Sequence, residues 1–384
     1  MAIDGWAKVE SVALLRVGAL GDLLVGLAAI QEAHALFPNA RVTLIGPRLW
    51  TEILSPEHFP RIERIIVLEK RGATEGVVFR SHDDRGLKTW KREFVAPQPL
   101  HVLLRGTGAF VNFHIDSYRY GFTALRARIP IRLGSAPAQM AWLYTHVSPF
   151  FGKDPEVHER DAALLLLEYP EPSAIKYFRT VERNRVNLSE WVGRSKLVAK
   201  WRELGLPAGK TSNPLRAREI TGSYAGQYVL VNPTSSRREK AWSAEKFREL
   251  LLSLRGPLVG AEILVLGAPS ETEWLREVAG SEFRIVQPPT ILDLQDVVAG
   301  ARGLLTNTSS VQFIAAMAKT PAIVLMGRGN PAIWGPLGPK DKVIRGQTPL
   351  ELAHDIFQQE KAAYQSIEVD EVRSALLPFL SASR

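Results

Sequence analysis

Val12-Ala13-Leu14-Leu15-Arg16-Val17-Gly18-Ala19-Leu20-Gly21-Asp22-Leu23-Leu24 is the stretch from which the fold can be read outward. A mostly apolar run from Val12 to Val17 stops at Gly18. From Asp22 to Phe37 apolar residues then recur at helical spacing until Pro38-Asn39-Ala40 breaks the pattern. A second apolar run, Val42-Thr43-Leu44-Ile45-Gly46, follows. Strand, helix and strand in that order make a β-α-β unit, whose right-handed crossover starts a parallel sheet with helices on both faces.

Further along, Ile65 to Leu68 reads as a third strand, while the polar, aperiodic stretch from Glu69 to Pro99 reads as a long loop or insertion. Periodicity returns over His101 to Leu104 and Tyr118 to Arg128, and His158 to Tyr169 gives a helix ended by Pro170 and Pro172. A helix over Leu188 to Leu204 and a stretch rich in Gly, Ser and Pro fall where a connection between domains is expected. Tyr228 to Val231 then opens a second α/β set. Its helices lie near 244–254, 271–278, 292–299 and 310–317, and its strands at 262–266, 303–305 and 322–326. The expected organisation is an N-terminal domain over 1–180, a connection over 181–226, a second domain over 227–350 and a helical tail over 351–384, able to pack on either domain.

Composition narrows the function. The chain has 384 residues, enough for two cores of ordinary size, and no apolar run approaches the roughly eighteen residues of a membrane span. It has no cysteine, which excludes disulfides, thiolate metal sites and cysteine nucleophiles. The first residues lack the pattern of an export signal, so a cytoplasmic location is expected. A formal charge of +8 favours anionic partners. The basic residues are scattered and carry no nucleic-acid-binding signature, so a phosphorylated small molecule or an acidic membrane face is preferred to nucleic acid.

Several strand-to-helix turns carry groups suited to chemistry. At Gly18-Ala19-Leu20-Gly21-Asp22 the glycines permit a sharp turn at a helix N-terminus, although the three-glycine dinucleotide fingerprint is missing. Asp22 there is either a helix cap or a general base able to accept a proton from an attacking hydroxyl. Asn232 to Trp242 brings together Thr234, Ser235, Ser236, Arg237, Arg238 and Lys240 before a helix. That is either phosphate-site chemistry, with Lys240 neutralising a diphosphate, or a solvated turn with Ser243 as cap. Thr306 to Ser310 offers hydroxyls and N–H groups at another helix start, and at Gly267 to Glu273 either Glu271 or Glu273 suits ribose hydroxyls or the first helical turn. Asp83-Asp84 reads as a solvated loop and Asp293…Asp296 as a helix start, so no metal is expected.

With these turns in hand, the sequence resembles the heptosyltransferase family, glycosyltransferase family nine. The resemblance runs from Leu14 to Leu24 through Leu27-Ala28-Ala29-Ile30 and Phe37 to Ala40. It continues over Asn232 to Trp242, Leu266 to Glu273, Thr290 to Ala301 and Asn307 to Gly327. It implies the α/β GT-B architecture, two Rossmann-like doubly wound domains facing a cleft. It also implies Asp22 as catalytic base, Lys240 as the phosphate-binding lysine, and Ser235, Ser236, Thr308 and Ser309 as donor diphosphate contacts. Glu271, Asn307 and Gln312 join the donor side, and Gly18, Gly21, His158 and Arg160 the acceptor side. Where the family pattern has Asp-Thr-Gly and, three residues on, His, this chain has Asn307-Thr308-Ser309 and Gln312.

The expected function is an inverting glycosyltransferase. It moves a heptose or related sugar from a nucleotide-diphosphate donor to a lipopolysaccharide-type, lipid-linked or other saccharide acceptor, with no cofactor or metal and with peripheral contact at an anionic inner-membrane face. The rivals are a non-catalytic nucleotide-sugar-binding paralogue and an epimerase or oxidoreductase on paired Rossmann-like domains. The absent fingerprint speaks against a bound dinucleotide.

Overall fold

In the computed structural model β1 (Ser11–Leu15) is buried from Val12 onward and feeds the seventeen-residue helix Leu20–Leu36, which returns the chain to β2 (Arg41–Gly46) paired parallel to β1. The helix is apolar nearly all round, as a helix sandwiched between a sheet and a second helix must be. That second helix, Glu159–Glu168, packs on it and is buried through Leu167. The structure describes residues 6–68, 74–82, 88–93, 98–114, 117–148, 157–168, 171–172, 188–254, 261–348 and 355–381. The chain forms two compact units, Met1–Gly209 and Lys210–Arg384.

The first unit adds β3 (Ile62–Leu68), β4 (Thr74–His82), β5 (Lys88–Glu93), β6 (Ala109–Asn112), β7 (Ile131–Gly134), β8 (His146–Val147) and β9 (Glu171–Pro172). Their order is β5-β4-β3-β2-β1-β6-β7-β8-β9. Pairing is parallel from β3 to β8, and antiparallel where β4 joins β3 and where β9 joins β8. The second unit holds β10 (Tyr228–Asn232), β11 (Glu262–Leu266), β12 (Arg284–Val286), β13 (Leu304–Asn307), β14 (Ala322–Met326) and β15 (Lys342–Arg345), in the order β12-β11-β10-β13-β14-β15, all parallel. Both are Rossmann-like sheets. The chain leaves the central strand for one side, then crosses over to the other.

The structure corrects the loop expected over 69–99, because β4 and β5 form a hairpin paired to the sheet edge at β3. Edge strands face solvent and carry charge, here the exposed Lys91, so they lack the apolar period that marks an interior strand. Trp90 anchors the hairpin by donating its indole N–H to the Leu54 carbonyl at 2.8 Å. Asp83-Asp84 lies outside the described residues.

The single helix expected over 188–204 is two, Leu188–Arg194 and Lys196–Leu204. Ser195 breaks it, since its hydroxyl caps the second helix at the Val198 N–H, 3.0 Å away, and hydrogen-bonds the Glu168 carboxylate. Both helices belong to the first unit, whereas Pro214–Thr221 belongs to the second, fixed there by Lys210 and the Asn213 N–H on the buried Asp296. Asp293 stands in the first turn of helix Ile291–Gly300 beneath its cap Thr290, as a helix-start aspartate should.

The terminal helix Val369–Ser381 packs on the second unit, where Val372, Leu376 and Leu380 join the core formed by Val229, Val231, Phe247 and Leu275. Leu376→Ala is therefore expected to lower stability by about 2–5 kcal/mol, the usual range for a fully buried leucine, read as an earlier denaturant midpoint with an unchanged slope.

Candidate functional site

In each Rossmann-like sheet the strand order reverses beside the central strand, and the crevice beyond the strand ends at that reversal is where such sheets bind ligands. The reversals fall between β1 and β6 and between β10 and β13. The turns that follow β1, β10 and β13 are three of those singled out from sequence.

In the first unit the turn is held from below by Arg16, a charged residue at the end of an apolar strand and only 2% exposed. Its guanidinium donates to the carbonyl of Asp22 at 2.9 Å and to that of Phe113 at 2.6 Å, and lies 3.7 Å from the Glu159 carboxylate. Its own carbonyl accepts the Trp50 indole N–H at 3.1 Å. The arginine thereby ties the ends of two strands and the first turn of helix Leu20–Leu36 to one buried charge.

Gly18 has φ +135°, and a Cβ there would stand 2.5 Å from Asp22 Cβ and 2.7 Å from its Oδ2, so backbone and space both require glycine. Asp22 Oδ2 accepts the Ala19 N–H at 2.9 Å, closing the reciprocal half of a capping box. The other oxygen, Oδ1, has no hydrogen-bond partner among the described residues, and the side chain is partly exposed. Capping therefore uses one oxygen and leaves the other available to a ligand. Gly21 lies in the first turn of the same helix.

His158 and Arg160 lie inside the first unit. The Arg160 guanidinium donates to Asp161 at 2.8 Å and to the Trp201 carbonyl at 3.1 Å, and its backbone N–H reaches His158 Nδ1 at 3.1 Å. Burial pulls the Arg160 pKa down while Asp161 opposes it, the signature of a cation held by the fold.

In the second unit two buried amides organise the turns. Asn232, the last residue of β10, donates from Nδ2 to Thr234 Oγ1 at 3.0 Å and to the Leu266 carbonyl at 2.9 Å, while its Oδ1 accepts the Thr306 hydroxyl at 3.0 Å. Asn307, the last residue of β13, donates to the Pro233 carbonyl at 2.7 Å and accepts the Trp242 N–H at 3.0 Å. Ser309 Oγ joins this network, 3.1 Å from Thr306 Oγ1, and Thr308 donates both its N–H and its hydroxyl to the Leu325 carbonyl. Gln312 is buried; its Nε2 donates to the Trp334 carbonyl at 3.0 Å and its Oε1 has no partner among the described residues.

What these contacts leave unengaged faces outward. Among the described residues the Ser235 and Ser236 hydroxyls, the exposed Lys240 ammonium and the backbone N–H groups of Ser309 and Ser310 have no hydrogen-bond partner. The last two sit at the start of helix Val311–Ala318, where N–H groups suit an anion. Ser235, Ser236 and Glu271 line a cavity of about 620 Å³ together with Arg238, Thr272 and Trp274. Lys240, Asn307, Thr308, Ser309 and Gln312 do not line it. One Glu271 oxygen accepts the Ala268 N–H at 2.7 Å, so this carboxylate both caps its turn and borders the cavity.

Sequence reasoning assigned no role to Arg16, Trp274 or the side chain of Asn232. The Trp274 ring carries the Arg238 guanidinium 5.0 Å from its centroid, and Glu277 holds that guanidinium through two hydrogen bonds of 2.6 and 2.8 Å. The hydrogen bonds to Glu277 raise the Arg238 pKa and lower that of Glu277, although both groups are largely solvated. An aromatic in the first turn after Gly267 to Glu273 was the available signal.

A family model described as glycosyltransferase family 9 (heptosyltransferase) matches residues 156–361, more than half of the chain, including the turns after β10 and β13 and not the turn at Asp22. Among solved structures, a glycosyl transferase family 9 protein from Veillonella parvula is similar with 16% identity and a TM-score of 0.67, covering 100% of this chain and 99% of that one. The E. coli ADP-heptose lps heptosyltransferase II gives 16% and 0.65, over 96% and 98% of the two chains. The E. coli heptosyltransferase WaaC with ADP gives 17% and 0.59, over 96% and 99%. At these identities the likeness concerns the fold. No curated protein sequence matches.

Gly18→Ala is expected to cost about 1–3 kcal/mol, because a left-handed backbone and a clash with Asp22 must both be relieved. Equilibrium denaturation measures it, and a neutral result would mean that the turn rearranges freely.

Proposed function

The chain belongs to glycosyltransferase family 9, the heptosyltransferase family, and is a glycosyltransferase of GT-B fold; from that premise we propose an inverting transfer of a heptose or related sugar from a nucleoside-diphosphate donor to a lipopolysaccharide-type saccharide acceptor. The observation that carries the reading is the conjunction, within the second unit, of the family match with a strand-reversal turn bearing an unpaired lysine and two free hydroxyls. A solved relative that holds ADP supports an adenine nucleotide as donor.

In this reading Asp22 Oδ1 accepts the proton of the acceptor hydroxyl as its oxygen attacks the anomeric carbon. The bond from that carbon to the diphosphate oxygen breaks with its electron pair, and the sugar inverts in a single displacement. Lys240 and the N–H groups of Ser309 and Ser310 meet the charge that grows on the diphosphate, a field that is worth more in the transition state than in the ground state. Ser235 and Ser236 contact the diphosphate and Glu271 the ribose hydroxyls, on the 620 Å³ cavity that all three line. The reading calls on no resident metal or cofactor.

Asp22→Asn is expected to lower kcat by about 10²–10⁴ with ADP affinity kept, and Lys240→Ala to lower it by about 10²–10³ with weaker ADP binding. Transfer assays and calorimetry separate the two, and NMR of the product gives the anomeric outcome. Retained turnover in Asp22→Asn would remove Asp22 from the base role.

A cytoplasmic enzyme with peripheral contact at an anionic inner-membrane face completes the reading. No helix among the described residues is long and apolar enough to cross a membrane. Helix Arg119–Arg126 instead presents exposed Arg119, Phe122 and Arg126, with Arg128 just beyond, and Phe122 meets the exposed Trp142 edge to face at 5.7 Å. Exposed aromatics amid arginines suit the headgroup layer of an acidic bilayer. Phe122→Ser with Trp142→Ser is expected to reduce sedimentation with phosphatidylglycerol vesicles several-fold. Equal sedimentation of wild type with phosphatidylcholine vesicles would remove the charge component.

A further inference from the structure

We propose that Asn307 is a positioning residue that sets the loop carrying Ser235, Ser236 and Lys240, and that its amide, rather than a carboxylate, is what the loop requires. The inference rests on the reading of that loop as the donor-diphosphate contact.

The amide grips the loop at both ends. Its Nδ2 donates to the carbonyls of Pro233 at 2.7 Å and Thr234 at 3.5 Å, where the chain leaves β10, and its Oδ1 accepts the N–H of Trp242 at 3.0 Å, where the loop re-enters the core. The orientation is unambiguous: backbone carbonyls only accept and a backbone N–H only donates, so a flipped amide would lose every one of these bonds. Asn307 is fully buried, and water cannot replace a missing partner there without opening the fold. Trp242 is itself fixed, its indole N–H donating to the Ile367 carbonyl at 3.1 Å and its ring packed edge to face on Phe247 at 4.9 Å.

Between these anchors Asn232 Nδ2 donates to Thr234 Oγ1, Arg237 lies over the Phe357 ring, and Arg238 reaches Glu277 and Trp274. The N–H groups of Lys240 and Ala241 reach the Arg237 and Arg238 carbonyls within the turn, so every other hold is on one part of the loop. Asn307 differs from these in joining the two ends of the loop, Pro233 and Trp242, through one side chain that donates and accepts at once. An ionised carboxylate at 307 would still accept from Trp242 but would face the Pro233 and Thr234 carbonyls with negative charge. Protonated, it could donate once and recover most of the grip.

That difference makes the test pH-dependent. Asn307→Asp is expected to bind ADP about tenfold or more weakly than wild type near pH 8, with the ratio to wild type returning toward one as the pH falls to about 5.5. Taking the ratio at each pH cancels the titration of ADP itself. Calorimetry on the full chain gives the affinities, and circular dichroism confirms that the variant is folded at each pH. If the variant is unfolded near pH 8, its melting temperature relative to wild type is expected to rise as the pH falls.

Lys240→Ala, measured alongside, separates the two levels of the claim. Weaker ADP binding in Lys240→Ala, with an Asn307→Asp ratio that is flat in pH or equal to one, overturns the positioning role and leaves the donor reading standing. Unchanged ADP binding in Lys240→Ala overturns both.

Discussion

A parallel strand that ends at a reversal of strand order leaves its last backbone groups, and those of the turns beside it, without sheet partners. Every such group must still be satisfied if it is buried. Both units meet this constraint with a polar side chain planted at the end of a central strand. In the first it is Arg16, whose guanidinium collects the carbonyls of Asp22 and Phe113. In the second it is Asn232 and Asn307, which between them engage the loop after β10 and the ends of β11 and β13. The difference in chemistry follows from what each must meet. Arg16 faces carbonyls and a carboxylate and needs only donors, whereas the amides face carbonyls on one side and hydroxyl or N–H donors on the other and need both.

Once the backbone is satisfied from beneath, the side chains above it are released for other work. Asp22 spends one oxygen on Ala19, and Lys240, Ser235 and Ser236 spend nothing among the described residues. Groups held in place by their backbones and unpaired at their tips are what preorganised electrostatics requires, since they need not abandon partners or reorganise as charge develops. The proposed division of labour, a base in the first unit and a cation with N–H groups in the second, uses that state of the side chains.

Much of the framework was legible because the sheet interiors impose a period. The bounds of β11 and β14 coincide with the apolar runs Glu262 to Leu266 and Ala322 to Met326, and the first β-α-β unit follows from Val12 to Gly46. Edge strands escaped because solvent removes the pattern, and β6 and β7 went unread at four residues each, a length at which β13 showed only its apolar start, Leu304-Leu305. The turns were visible through their glycines, hydroxyls and charges. The residues beneath them were not, because Arg16 acts on Phe113 and Asn307 on Trp242 and Pro233, across separations that no local pattern encodes.

The departures from the family pattern at 307, 309 and 312 take on physical content from these contacts. Ser309 joins Thr306 and Asn232 in one hydrogen-bonded network, whereas the Asn307 side chain holds Pro233, Thr234 and Trp242, so the two departures act on different partners. A serine at 309 adds a hydroxyl that the network engages, whereas glycine would leave Thr306 Oγ1 without that neighbour. Gln312 donates to the Trp334 carbonyl while its buried Oε1 has no partner among the described residues, an arrangement that costs stability. Relative to the pattern the sequence resembles, the departures put neutral hydrogen bonding in place of charge and leave one buried acceptor without a partner among the described residues, while the N–H groups at the start of helix Val311–Ala318 remain unengaged there.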